Sequence, residues 1–577
     1  MLTLRNFTQS RCCYLIPRIG ANYLSHSTFA DTSENKASYF HKISNRPIKY
    51  QNIGQILKEA SIKYCNREAL VSCSENSKIT FSETLDKVDR LASGLLNLGL
   101  SRGDCVAIWA SNYEFWYISS LAIARAGLIC VSLNPAYQIP ELDYCLKKVN
   151  VKVIIAAESF RKQKHYEMLS TLLPNLKHSK GGVIENKENS VRHVIIHSDK
   201  KLPGVISFNE ILSSSSENDV IEVEKIQSKI SPDSACNIQF SSGTTGQPKA
   251  AAISHLSMIN NGYDLGIRQA MHQNYRRICL NNPFFHAYGL VIAMMNALNH
   301  GSTLVLPAPH FDPKQSLMAI KKEKCDVIYG TPTMFVDLVT AQRELNLDLP
   351  DVAIATTGGA ICTPKLVQDI EKVLKAKKIV SIYGLSETTA GVFMSLPNDD
   401  NKNVQTFVGH VMDHLETKVV DSEGNAVRFG EPGELYVRGY STMLRYWDDQ
   451  LKTKEIMGDD KLKTGDQFIL YENGYGKIVG RLKEMIIRGG ENLYPREIED
   501  FLNSHPDIIE THVIGIPDER LGEEVAAFIR VKDNSTHVTQ NDIKEFCSGK
   551  LAHFKVPRFV IIVDEFPRTV SGKHLHS

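Results

Sequence analysis

The chain has 577 residues, with Lys+Arg 66 against Asp+Glu 65. That length exceeds one compact core, so two or more domains are expected, and the near-zero net charge argues against a nucleic-acid or membrane-surface protein. The twelve cysteines are scattered without a Cys-x-x-Cys pair, which argues against structural zinc or a disulfide framework and leaves a reducing compartment as the default.

Residues 1–30 carry Arg5, Arg11 and Arg18, several Ser and Thr, and no acid before Asp31. This composition fits a mitochondrial transit peptide, with a matrix destination; an ordinary disordered N-terminus is the bland alternative. From about Tyr50 the pattern becomes regular. Thr80-Phe-Ser-Glu83 reads as a capping box, followed by Leu85, Val88, Ala92 and Leu95 on one helical face, with Gly99 past the end. Cys105–Trp109 predicts a strand. The most apolar region, Phe115–Leu133, is broken by Arg125 and Gly127, which predicts a helix and then a strand, not a membrane span. A helix near Pro140 and a strand at Val151–Ala156 continue the alternation, which implies βαβ units and a parallel sheet. The polar stretch His178–Asn218 reads as a loop-rich connection.

A second run follows, in which several strands end in polar or Gly-rich turns: Asn281 to Gly289, Thr331 to Met334, Gly358-Gly359, and Tyr383 to Thr389. An apolar helix is expected at Leu290–Leu298. In open α/β sheets ligands sit at the carboxyl ends of strands, so these turns are candidates for one site. From about 403 to 480, short strands with Gly/Asn turns predict a small β subdomain, and beyond Lys483 comes a compact α+β tail. The fold class is therefore α/β: a large N-terminal domain of mainly parallel sheets with a small β subdomain, then an α+β C-terminal domain.

The richest chemistry lies in Ser241-Ser242-Gly243-Thr244-Thr245-Gly246-Gln247-Pro248-Lys249. Two glycines let the backbone approach a ligand, four hydroxyls add donors, Lys249 adds charge and Pro248 stiffens the loop. That inventory suits phosphate oxygens. It is not a Walker A loop, which needs Gly-Lys-Ser/Thr contiguous at a helix start. A Ser/Gly-rich surface turn is the alternative.

This loop resembles the signature of the adenylate-forming superfamily, with Ala250 where relatives usually carry Gly. The resemblance covers about Tyr50 to Lys573, with five motifs in the family's order. It implies ATP, Mg²⁺ and CoA as substrates and cofactor. Tyr383-Gly384-Leu-Ser-Glu387-Thr388 is similar to the adenine and magnesium motif, with Tyr383 against adenine, Thr388 beside the nucleotide and Glu387 on Mg²⁺. Asp466, in Lys463-Thr-Gly-Asp466, would bind both ribose hydroxyls, and Arg481 would reach ribose and phosphate. The aromatic residue common before this Thr is replaced by Lys461-Leu462-Lys463. His286, Tyr329, Gly359 and Gly384 match the acyl pocket, Gly489 and Gly490 the CoA channel, Lys483 the hinge of a mobile lid (483–577), and Lys573 the lysine that bridges carboxylate and α-phosphate. The adenylation domain would span 50–482.

Within the superfamily, Tyr329 to Asp337, Arg438-Gly-Tyr and Ile486 to Asn492 look most like the mitochondrial medium-chain fatty acyl-CoA synthetases, the acyl-CoA synthetase family member 2 group. The resemblance implies a ligase that activates medium-chain fatty acids through an acyl-adenylate. An aryl-carboxylate CoA ligase, a luciferase-like oxygenase and a degenerate nucleotide-binding protein are the alternatives. Neither nucleic acid nor a membrane span is expected, and oligomeric state is left open.

Overall fold

Alternate residues of a strand face opposite ways, and Cys105–Trp109 shows what that does here. Val106 and Ile108 enter one apolar core, while Cys105, Ala107 and Trp109 enter another. The strand is therefore covered on both sides, as a parallel sheet requires. The computed structural model describes residues 36–566 apart from 180–181, 185–189, 242–247, 360–361, 459–460, 483, 489–490, 519–520, 533–537, 548–549 and 552–554. The expected transit peptide, 1–30, lies outside the described residues.

Three sheets form among the described residues. The first runs Arg445–Tyr446, Lys249–Ser254, Ala235–Ser241, Ile129–Leu133, Cys105–Trp109, Val151–Ala157, His193–His197, Ile206–Ser207. It is parallel from Ala235–Ser241 onward, and its first two strands pair antiparallel. The second has a parallel block of Glu68–Ser72, Thr303–Leu306, Arg277–Leu280, Val327–Gly330, Val352–Gly358 and Ala376–Tyr383. Beyond Phe393–Met394 it continues with the antiparallel strands Gly409–Val411, Tyr475–Arg481, Leu462–Leu470, Pro432–Gly439 and Leu415–Val420. The antiparallel strands expected at 403–480 thus extend this sheet edge to edge.

Helices Ile53–Lys63, Phe81–Asn97, Glu114–Arg125 and His255–Arg268 fill the layer between the two sheets and share one core with both. Phe81–Asn97 begins with the expected capping box, Thr80 and Glu83 exchanging bonds with each other's backbone. Arg125, the charge that interrupts the apolar run, is buried and paired with Asp89 and Glu224. The third sheet includes Ile508–Asp518, Gly522–Val531 and Phe559–Ile562, and has its own core of Ile486, Leu493, Ile498, Val525, Ile529 and Ile543.

Two readings of the sequence change. The stretch 178–218 is not only loop: it supplies the buried strand His193–His197 and the helix Phe208–Ser213. The strand's apolar centre is only Val194, Ile195 and Ile196, flanked by His193 and His197. The apolar helix expected at Leu290–Leu298 is a π-helix over Tyr288–Met295, followed by an α-helix over Asn296–His300. Among the described residues no helix is long and apolar enough to cross a membrane.

Candidate active site

Strand Ala235–Ser241 ends at the carboxyl edge of the first sheet, and its antiparallel partner brings Lys249 directly opposite Ser241. The loop between them closes a hairpin. Ser242, Gly243, Thr244, Thr245, Gly246 and Gln247 lie outside the described residues, but both posts of the loop are fixed. The Pro248 carbonyl accepts from the Tyr144 hydroxyl at 3.2 Å. Ala250 is buried in the apolar core, and its carbonyl accepts from the Trp447 N–H at 2.7 Å. The methyl group that departs from the usual glycine therefore sits in the strand's packing.

Strand Ala376–Tyr383 delivers the second group of residues from the other sheet. After it the chain doubles back so tightly that a Cβ on Gly384 would stand 1.6 Å from the Ala390 carbonyl oxygen. Glycine is obligatory there. Thr389 and Ala390 adopt positive φ of 54° and 94°, a costly conformation for residues with a side chain. The product of this strain is the position of Glu387. Its Oε1 accepts from the Ser241 hydroxyl at 2.8 Å and from the Tyr446 hydroxyl at 2.9 Å. Lys249 Nζ lies 5.3 Å from the centroid of the Tyr446 ring. Thr388 is fully buried, and its hydroxyl accepts from the Leu385 N–H at 2.8 Å. It staples the turn.

A third group joins the same strand to the antiparallel extension. The Tyr383 hydroxyl donates to Asp466 Oδ2 at 2.6 Å, and Arg481 Nε stands 3.3 Å from Asp466 Oδ1. Asp466 and Arg481 are register partners on neighbouring strands, so the sheet itself sets their approach. Asp466 is buried, while half of the Arg481 side chain faces solvent. Burial and the adjacent Asp466 carboxylate hold the Tyr383 phenol well above its ordinary pKa. In the place of the missing aromatic residue, Leu462 is buried against Ala251, Met443 and Tyr446, a contact of about 1.5–3 kcal/mol.

Of the four expected acyl-pocket residues, Tyr329 is fully buried. Its hydroxyl donates to Gln269 at 2.7 Å and accepts from Asn296 at 3.0 Å. It has no exposed surface, and both bonds are made. Gly359 follows the strand Val352–Gly358 at a φ of +89°, and Gly384 shapes the Glu387 turn. His286 is half-buried, its Nδ1 accepting from the Tyr288 N–H at 3.2 Å. Lys483, Gly489, Gly490 and Lys573 lie outside the described residues.

Among the described residues no group of three or more His, Cys, Asp or Glu side chains could hold a metal alone. A single carboxylate at a phosphate-binding loop instead suits Mg²⁺, which is usually bound by one or two carboxylates together with phosphates and water. Glu387 has the right chemistry, because both of its described side-chain bonds fall on one oxygen.

The sequence profile of the AMP-binding enzymes matches residues 57–447, and that of the AMP-binding enzyme C-terminal domain matches residues 497–573. The chain belongs to the AMP-binding enzyme family. Within the family it is similar to the mitochondrial medium-chain acyl-CoA ligase ACSF2 of Danio rerio, at 38% identity over 541 residues, 93% of this chain and 89% of that one. The ACSF2 ligase of Bos taurus is 39% identical over 529 residues, covering 91% and 86%. Among solved structures, the anthranilate CoA ligase AuaEII in complex with anthranoyl-AMP superposes with a TM-score of 0.79 at 23% identity, covering 92% of this chain and 96% of that chain; this is a likeness of fold.

Sequence reasoning missed Tyr446. Its only signal was the aromatic pair Tyr446-Trp447 just before the polar run Asp448-Asp449-Gln450.

Proposed function

We propose that this family member is an ATP-dependent acyl-CoA synthetase that activates medium-chain fatty acids in the mitochondrion. The observation that carries the reading is the convergence of Ser241, Lys249 and Glu387 from two different sheets at the mouth of one phosphate loop. The substrate class and compartment are taken from the ACSF2 relatives.

A carboxylate is a poor acyl donor, since its leaving group would be oxide. Attack of its oxygen on the α-phosphate of ATP breaks the bond to pyrophosphate and yields an acyl-adenylate. The CoA thiol then gives up its proton, attacks the acyl carbon and expels AMP. In this reading Asp466 accepts from the ribose hydroxyls and Arg481 approaches ribose and phosphate. Lys249 offsets negative charge on the departing pyrophosphate. Glu387 would hold Mg²⁺, which when bound neutralises phosphate charge. Lys573 serves the first half-reaction. A rotation of residues 483–577 about Lys483 then exchanges it for Gly489 and Gly490 beside the thiol arm.

The test is pyrophosphate release by the full chain with ATP, Mg²⁺ and fatty acids from butyrate to palmitate, with and without CoA. A maximum at medium length that needs CoA for turnover is expected. Equal silence across the series, with ATP still bound, would rule out a fatty-acid synthetase.

A further inference from the structure

Tyr446 stands outside every role given so far, yet it touches two of the three groups at the phosphate loop. Its two-residue strand, Arg445–Tyr446, pairs with the strand that carries Lys249, with Tyr446 opposite Ala251. The same short segment grips the Glu387 turn from its other side: the Met443 N–H donates to the Glu387 carbonyl at 2.8 Å. The Leu444 and Trp447 N–H groups bond to Ala252 and Ala250 at 2.8 and 2.7 Å, and the Tyr446 N–H donates to Thr453 Oγ1 at 3.0 Å. Tyr446 is 4% exposed, so its ring has little freedom.

A carboxylate oxygen has two lone pairs. Ser241 and Tyr446 both donate to Oε1 of Glu387, so that oxygen is filled. Among the described residues Oε2 has no side-chain donor. The arrangement sorts the two oxygens, one for the protein and one for a ligand, as outer hydrogen bonds do around metal-binding carboxylates. The ring, meanwhile, presents its face to the Lys249 ammonium at 5.3 Å, within cation–π range.

We propose that Tyr446 is a positioning residue for adenylation: its hydroxyl holds Glu387 with one oxygen turned to the nucleotide's divalent cation, and its ring seats Lys249. This rests on the functional reading above in assigning the cation to Glu387.

The test uses the full chain with Y446F, which removes the hydroxyl and keeps the ring, and Y446L, which removes both. Binding is read first, by Mn²⁺ electron paramagnetic resonance with a non-hydrolysable ATP analogue. Y446F is expected to bind Mn²⁺ about tenfold more weakly than wild type, in line with lost outer-shell bonds. Pyrophosphate release by Y446F should fall at limiting Mg²⁺ and recover at saturating Mg²⁺. Y446L should stay slow even at saturation, because Lys249 is unseated. Thioester formation from supplied acyl-adenylate should be retained by both. Wild-type Mn²⁺ affinity in Y446F would overturn the proposal, and equal loss of both half-reactions would reduce Tyr446 to a packing role. A wild-type enzyme that forms no adenylate from any acid would instead sink the functional reading, while the Mn²⁺ comparison would still judge Tyr446.

Discussion

Tyr383 gives the sharpest residue-scale prediction. Its buried hydroxyl donates to the equally buried Asp466 at 2.6 Å, and a hydrogen bond to a charged acceptor contributes about 1.5–3 kcal/mol. Y383F is expected to weaken ATP binding about tenfold and to lower folding stability by about 1–2 kcal/mol. Calorimetric titration with ATP and urea unfolding would check the two effects separately. Asp466 and Glu387 were legible in the sequence because each sits in a short motif, Lys463-Thr-Gly-Asp466 and Tyr383-Gly-Leu-Ser-Glu387, that resembles the family's. Tyr446 was not legible, because its role depends on pairing with Ala251 in a strand far away in the chain. Tyr329 and Thr388 carry the opposite lesson. Both fall in motifs that resemble ligand sites, but only the structure shows that their hydroxyls are already bonded within the protein.

The element that carries the most strain is the turn from Gly384 to Ala390. A methyl group on Gly384 would meet backbone, not a side chain that could swing aside. G384A is expected to cost on the order of 3 kcal/mol in stability and to remove most pyrophosphate release by displacing Glu387. Gly458, whose added Cβ would meet nothing within 4 Å, is the control, and G458A should change stability by less than about 0.5 kcal/mol. Thermal unfolding and pyrophosphate assays of the pair would decide. Elements with one apolar face were readable, as the helix after Thr80 shows. The π-helix was not. Every residue from Tyr288 to Met295 is buried, so no apolar stripe distinguishes one helical period from another.

Across the whole molecule, three of the buried histidines carry the largest downward shifts. Burial pushes the imidazole of His255 down to about 3, and those of His165 and His300 to about 4, from an ordinary 6.5. A lowered folded-state pKa means that the unfolded chain takes up protons first. The stability these groups contribute is present above pH 6.5 and is lost as pH falls toward 4, on the order of 3 kcal/mol each. Asp264 acts in the opposite sense. Burial raises its carboxyl to about 6 from 3.8, so its contribution is full below 3.8 and lost as pH rises through about 6. Desolvation raises the carboxyls of Asp89, Glu434, Glu499 and Asp500 in the same direction. The three histidines are expected to lower thermal stability between pH 6.5 and 4. Thermal unfolding across that range would test it, and a flat profile would contradict the buried, neutral state of these imidazoles.

The strand that ends at Arg481 has one more consequence. The Leu482 N–H donates to the Gly465 carbonyl at 3.0 Å, next door to Asp466 and one residue before Lys483. Beyond it, the Tyr494 hydroxyl accepts from Gln467 at 2.7 Å, on the other side of the same carboxylate. In the proposed reading, with Asp466 on the ribose and Lys483 as the hinge, the residue before the hinge is bonded beside the ribose site. On that reading, a nucleotide that draws Asp466 toward its sugar is expected to pull on the segment that mounts the lid, so that cargo and lever share one bearing.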